Sequence, residues 1–103
     1  MDTSINSHDT LEQLIYTEGI RIQALDIHTD IGIMLIVLNT GSVLKEKLSK
    51  YPALVNASDI ALNNYELTGN GTGIHWPELD EDLSLKGFLR DAVKDQVMGN
   101  KVA

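Results

Sequence analysis

The sequence predicts an α+β fold: a small antiparallel sheet of about three to five strands, with short helices packed on it as a single layer. Three observations predict it. Apolar runs of strand length, Ile33 to Leu38 above all, are bounded by turns rich in Gly, Asn and Asp. Apolar residues at helical spacing occur near both ends, as Leu11, Leu14 and Ile15 and again as Leu85, Phe88, Leu89 and Ala92. The length of 103 residues suits one domain spanning 1–103, with a core over about residues 9–97 and flexible ends.

The elements follow in order. Asp9-Thr10-Leu11-Glu12 has the spacing of a capping box, which predicts a short helix from Thr10 to about Tyr16, closed by Gly19. Ile20 to His28 reads as a strand. Ile20 and Ile22 share one phase and Leu25 and Ile27 the other, which predicts a β-bulge near Ala24 or a strand that starts late. Thr29 to Gly32 is turn chemistry. Ile33 to Leu38 is apolar on both faces, so a central strand covered on both sides is expected. After the Asn39-Thr40-Gly41-Ser42 turn, Val43 to Leu48 pairs back as a third strand, its Lys and Glu residues exposed or at an edge. Pro52 starts a short helical turn, and Ser58 or Ala57 caps another that runs to about Asn64. Tyr65 to Leu67 is extended, Gly69 to Gly73 turns, and Ile74-His75-Trp76 leaves extended until Pro77 stops the pairing. Glu78 to Asp82 reads as an acidic loop. Ser84 caps a last helix from Leu85 to about Val97, in which Gly87 costs about 1 kcal/mol relative to alanine, so a start after Gly87 is the alternative.

Composition narrows the function. The chain has no cysteine, which excludes disulfides, thiolate metal sites and a cysteine nucleophile. The start is polar, without the basic and apolar regions of a secretory leader, and no apolar run reaches the about 20 residues a membrane span needs. A cytoplasmic protein with no membrane contact is expected. Fifteen acidic against eight basic residues leave a net charge of −7, which repels phosphate backbones. Direct nucleic-acid binding is therefore not expected, and a basic protein partner is. Only Lys45, Lys47 and Lys50 approach a basic cluster, with Glu46 among them.

Candidate chemistry concentrates in one segment. Gly69-Asn70-Gly71-Thr72-Gly73 looks like a phosphate loop, but no Lys-Ser/Thr pair follows, so it reads as a turn that needs positive φ. Glu78, Asp80, Glu81 and Asp82 lack the alternation of a calcium loop. They read as a docking surface for basic groups or as favourable charge near a helix start. His75 has no serine, cysteine or second histidine in a catalytic arrangement, and reads as a ring hydrogen-bonded to Asp80 or Asp82. The three histidines are too dispersed for a zinc site. Trp76 is a core anchor before it is an interface residue. The candidate interaction surface is thus His75, Trp76, Glu78, Asp80, Glu81 and Asp82, with no catalytic residue, metal or cofactor expected.

The run Gly73-Ile74-His75-Trp76-Pro77-Glu78-Leu79-Asp80-Glu81-Asp82-Leu83-Ser84-Leu85-Lys86-Gly87-Phe88-Leu89 closely resembles the C-terminal signature of the bacterial domain-of-unknown-function family 2442, G-I-H-W-P-x-L-D-E-D-L-S-x-x-G-L-L. Leu48 to Leu54 resembles the family's L-S-W-Y-P-R-L, and Ala57 to Leu67 its A-T-P-E-Q-R-N-N-W-E-L. The likeness spans about residues 20–90. Lys50 stands for the usual tryptophan, Lys47 for a common proline, and Asn39 to Ser42 for an Asp-Gly-Arg turn. The resemblance implies a small α+β domain with no assigned activity. Some members are fused to a helix-turn-helix domain, and others occur beside a second small protein in an arrangement resembling a toxin–antitoxin pair.

Two functional classes follow. One is a non-enzymatic, antitoxin-like interaction module that binds a small basic protein, with a homodimer also possible through the Val43 to Leu48 edge. The other is a small-molecule or metal-binding domain lined by His75, Asp80 and Asp82, or a regulator acting with a DNA-binding partner.

Overall fold

Strand pairing starts with the apolar run. Ile33–Leu38 (β2) is flanked by Ile22–His28 (β1) and Val43–Lys47 (β3), giving an antiparallel sheet of order β1-β2-β3. The structure, a computed structural model, describes residues 9–98. The phase change in β1 is a bulge: the register slips between Ile22 and Ala24, so Leu25 and Ile27 face inward opposite Ile36 and Met34.

The expected single sheet is instead two. Glu66–Thr68 (β4), Gly73–Trp76 (β5) and Glu81–Ser84 (β6) form a second antiparallel sheet of order β4-β5-β6. The acidic segment thus ends in a strand as well as a loop. The chain reverses at Asp80 (φ 50°), a left-handed conformation that aspartate tolerates better than most residues. Leu83 then pairs with Ile74 on the inner side, and Asp82 with His75 on the outer side.

Helices close the core. α1, Thr10–Tyr16, has the predicted capping box, with the Glu12 amide donating to Asp9 (2.8 Å) and the Asp9 amide to Glu12 (3.1 Å). α2, Pro52–Val55, starts on Pro52, which loses no helical bond at the first position. α3, Asp59–Asn63, is capped by Ser58, whose Oγ accepts from the Ala61 amide at 3.1 Å. α4, Leu85–Met98, contains Gly87 in its first turn, and the Gly87 amide donates to Ser84 Oγ at 3.0 Å. The tail beyond Met98 and the polar start before Asp9 lie outside the described residues.

Both sheets share one core. Met34, Ile36, Ile74, Trp76, Leu54, Leu62, Leu85 and Phe88 are its largest fully buried side chains. The Gly69–Gly73 turn joins the sheets. The Ile22 amide donates to the Gly71 carbonyl (2.8 Å) and the Leu85 amide to that of Thr72 (2.9 Å). Gly71 has φ 92°, and a Cβ there would stand 2.8 Å from the Ile22 carbonyl oxygen. Tyr65 adds a second tie, its hydroxyl accepting from the Leu25 amide on the outer edge of β1 at 3.1 Å.

One expectation about β2 is corrected. Met34, Ile36 and Leu38 are buried, but Ile33, Leu35 and Val37 on the opposite face keep part of their exposure and stand outside the core cluster. The strand is apolar on both faces and covered on one, because both helices and second sheet build from the inner side.

Candidate functional site

The predicted residues divide by strand alternation. On β5, Ile74 and Trp76 point into the core while His75 points out. Trp76 is fully buried, and its indole N–H donates to the Leu62 carbonyl at 2.9 Å. It is therefore removed from the contact surface: a side chain without exposure anchors the sheet and touches no partner.

His75 sits in a row across the second sheet, with Glu66 of β4 on one side and Asp82 of β6 on the other. Its Nδ1 lies 2.8 Å from Asp82 Oδ1, one of the two partners the sequence offered, and its side chain is 30% exposed. Glu78 and Asp80 are exposed on the turn between β5 and β6, and Glu78 accepts from the Asn64 side-chain amide at 2.8 Å. Glu81 is half-buried opposite Trp76. Among the described residues, no lysine or arginine lies within ion-pair distance of Glu66, Glu78, Asp80 or Asp82. The face is an acidic surface with one histidine at its centre. Glu66 was not singled out in the sequence, since only the cross-strand register brings it beside His75.

A second group escaped sequence reasoning. Glu46 was expected at an exposed position, yet it is only 6% exposed, because β3 register places it opposite Met34 on the inner face. The Tyr51 hydroxyl donates to Glu46 at 3.1 Å, Lys50 Nζ lies 3.7 Å from it, and Lys50 also pairs with Asp91 of α4. Burial, then the neighbouring Asp91, pushes the Glu46 carboxyl up to about 7; Lys50 and Tyr51 only partly oppose this. Burial also works against ionisation of Asp91, but bonds from Lys50 and Glu46 outweigh it and hold Asp91 below the usual range. The pair thus keeps one proton, on Glu46, and releases it near neutrality. A cleft of about 320 Å³ lies alongside, lined by Lys45, Lys47, Lys50 and Lys94 together with Asp91 and Asp95. The Glu46–Lys50 spacing was readable in the sequence; Asp91, 41 residues from Lys50, was not.

Among the described residues, no three His, Asp or Glu side chains converge as metal ligands, and no helix is long and apolar enough to cross a membrane.

A crystal structure of a protein of unknown function from Rhodospirillum rubrum ATCC 11170 is similar, with 29% identity, coverage of 70% of this chain and 87% of that one, and a TM-score of 0.61. The solution NMR structure of an uncharacterised protein from Chromobacterium violaceum shares the fold, with 24% identity, coverage of 87% and 85%, and a TM-score of 0.63. No curated protein matches the chain. The family described as protein of unknown function (DUF2442) matches residues 22–94, a span that holds both sheets and the row around His75. The chain belongs to that family.

Proposed function

We propose that this chain is a non-enzymatic interaction module whose second sheet docks a small basic protein, in the manner of an antitoxin. One observation carries the reading. The outer row Glu66–His75–Asp82, with Glu78 and Asp80 beside it, is a concentrated negative surface left without lysine or arginine partners among the described residues. In a chain of net charge −7, such a surface steers a cationic protein toward it and sets its register. The histidine adds a hydrogen-bonding group whose orientation Asp82 fixes. Glu81, turned partly inward, supports the turn more than it meets a partner.

The test is affinity capture from the native lysate at low salt, with a Glu66→Lys/Asp82→Lys variant as control. A small basic protein held by the parent, released by salt and not held by the variant is the expected result. An empty lane for a folded parent, or retention by both forms, overturns the reading.

A further inference from the structure

The outer face of the first sheet has a pattern that its fold leaves unused. Directly opposed residues of an antiparallel sheet share a face. Three rows therefore run across it: Ala24–Val37–Val43, Asp26–Leu35–Lys45 and His28–Ile33–Lys47. The central column is apolar, and Val43 beside it is 52% exposed. One rim carries Asp26, with its side chain 59% exposed and 3.0 Å from His28. The other carries the exposed Lys45 and Lys47. At the hairpin end the column runs into a groove of about 410 Å³, apolar at Ile31, Ile33, Val55 and Ala57 and polar at Thr29, Lys47 and Ser49.

We propose that this face binds a second copy of the chain, sheet against sheet, about a two-fold axis parallel to β2. The charge pattern selects both the occupant and the axis. A rotation about the strand direction preserves each row and exchanges its ends, so Asp26 of one copy lies over Lys45 of the other, twice per dimer. Ile33, Leu35 and Val37 meet their equivalents along the centre. A two-fold axis running across the strands would instead set Asp26 over Asp26 and Lys45 over Lys45. A self-complementary patch of this kind is what an isologous interface requires. Burial of the central column drives association, and the rim pairs, individually weak, fix the orientation. The surface is separate from the acidic face of the second sheet, so the dimer stands or falls independently of the basic partner.

Sedimentation velocity of the full chain, from low micromolar to several hundred micromolar, reads the outcome. The parent is expected to pass from monomer to dimer. Asp26→Lys and Lys45→Asp should each weaken the dimer about tenfold or more. The two changes in one chain should restore it, because each rim then again meets its opposite. These positions are exposed, so folding is preserved and is checked by circular dichroism. Val43→Glu, also exposed, should weaken the dimer without recovery by either swap. A parent that stays monomeric throughout overturns the proposal. So does a dimer indifferent to the single charge changes, which would place the contact along the β3 edge instead.

Discussion

On the outer face of the first sheet, Ile33, Leu35 and Val37 lie between an acidic rim at Asp26 and a basic rim at Lys45 and Lys47. On the outer face of the second, His75 lies between Glu66 and Asp82, with only Thr68, Gly73 and Ser84 for company. The inner faces are alike: Met34 and Ile36 from one sheet meet the same core as Ile74 and Trp76 from the other. Stability therefore resides on the shared side, and each outward side is free to take its own chemistry. One sheet offers apolar area bounded by both signs of charge. The other offers charge of one sign.

The largest effect should come from breaking the shared side. Trp76→Ala removes the largest fully buried side chain and leaves the Leu62 carbonyl without its donor. Denaturant unfolding should show a loss of about 3–5 kcal/mol.

The link between the sheets comes next. Gly71→Ala forces a side chain into φ 92° and against the Ile22 carbonyl, where both strain and contact oppose it. Calorimetry should show a loss on the order of 1–3 kcal/mol. Asn70, also at positive φ, has a side chain that suits that region, and a Cβ at Gly69 would meet only the Thr72 side chain, so among these turn residues it is Gly71 that combines the conformation with a close approach to backbone.

The last test sharpens the first sheet alone. Glu46 holds a proton up to about pH 7 in the folded chain, against an ordinary value of 4.5. Between those values the folded state binds a proton that the unfolded chain has lost. Stability should therefore fall as pH rises through this window and stay level above it. Glu46→Gln should flatten that slope in unfolding curves measured across the window. An unchanged slope would assign the proton elsewhere.

Much of this was legible from residues close in sequence. The capping box at Asp9 and Glu12 and the central β2 rest on local spacing, which also narrowed the bulge after Ile22, the cap at Ser58 and the partner of His75 to two alternatives each. What escaped depends on distant partners. β6 contains Glu81 and Asp82, poor strand formers, and is extended because Leu83 pairs with Ile74 over the core. Glu46 looks like one more exposed charge until register turns it inward and α4 brings Asp91 to Lys50. The outer row at His75 was half visible: Asp82 lies in the same acidic run, while Glu66 reaches it only through β4 pairing.

In both sheets the strand order follows the chain order, so every strand pairs with its immediate neighbour. This has a consequence for synthesis. A ribosome delivers the N-terminal end first, and the first meander is complete once Lys47 has emerged. Its hairpins close within microseconds, far faster than further residues are added. Met34 and Ile36 must then wait for Ile74, Trp76 and Phe88, which emerge later, to cover them. For that interval the nascent chain carries an apolar sheet with two open faces, and chaperones have their best opportunity to engage it there.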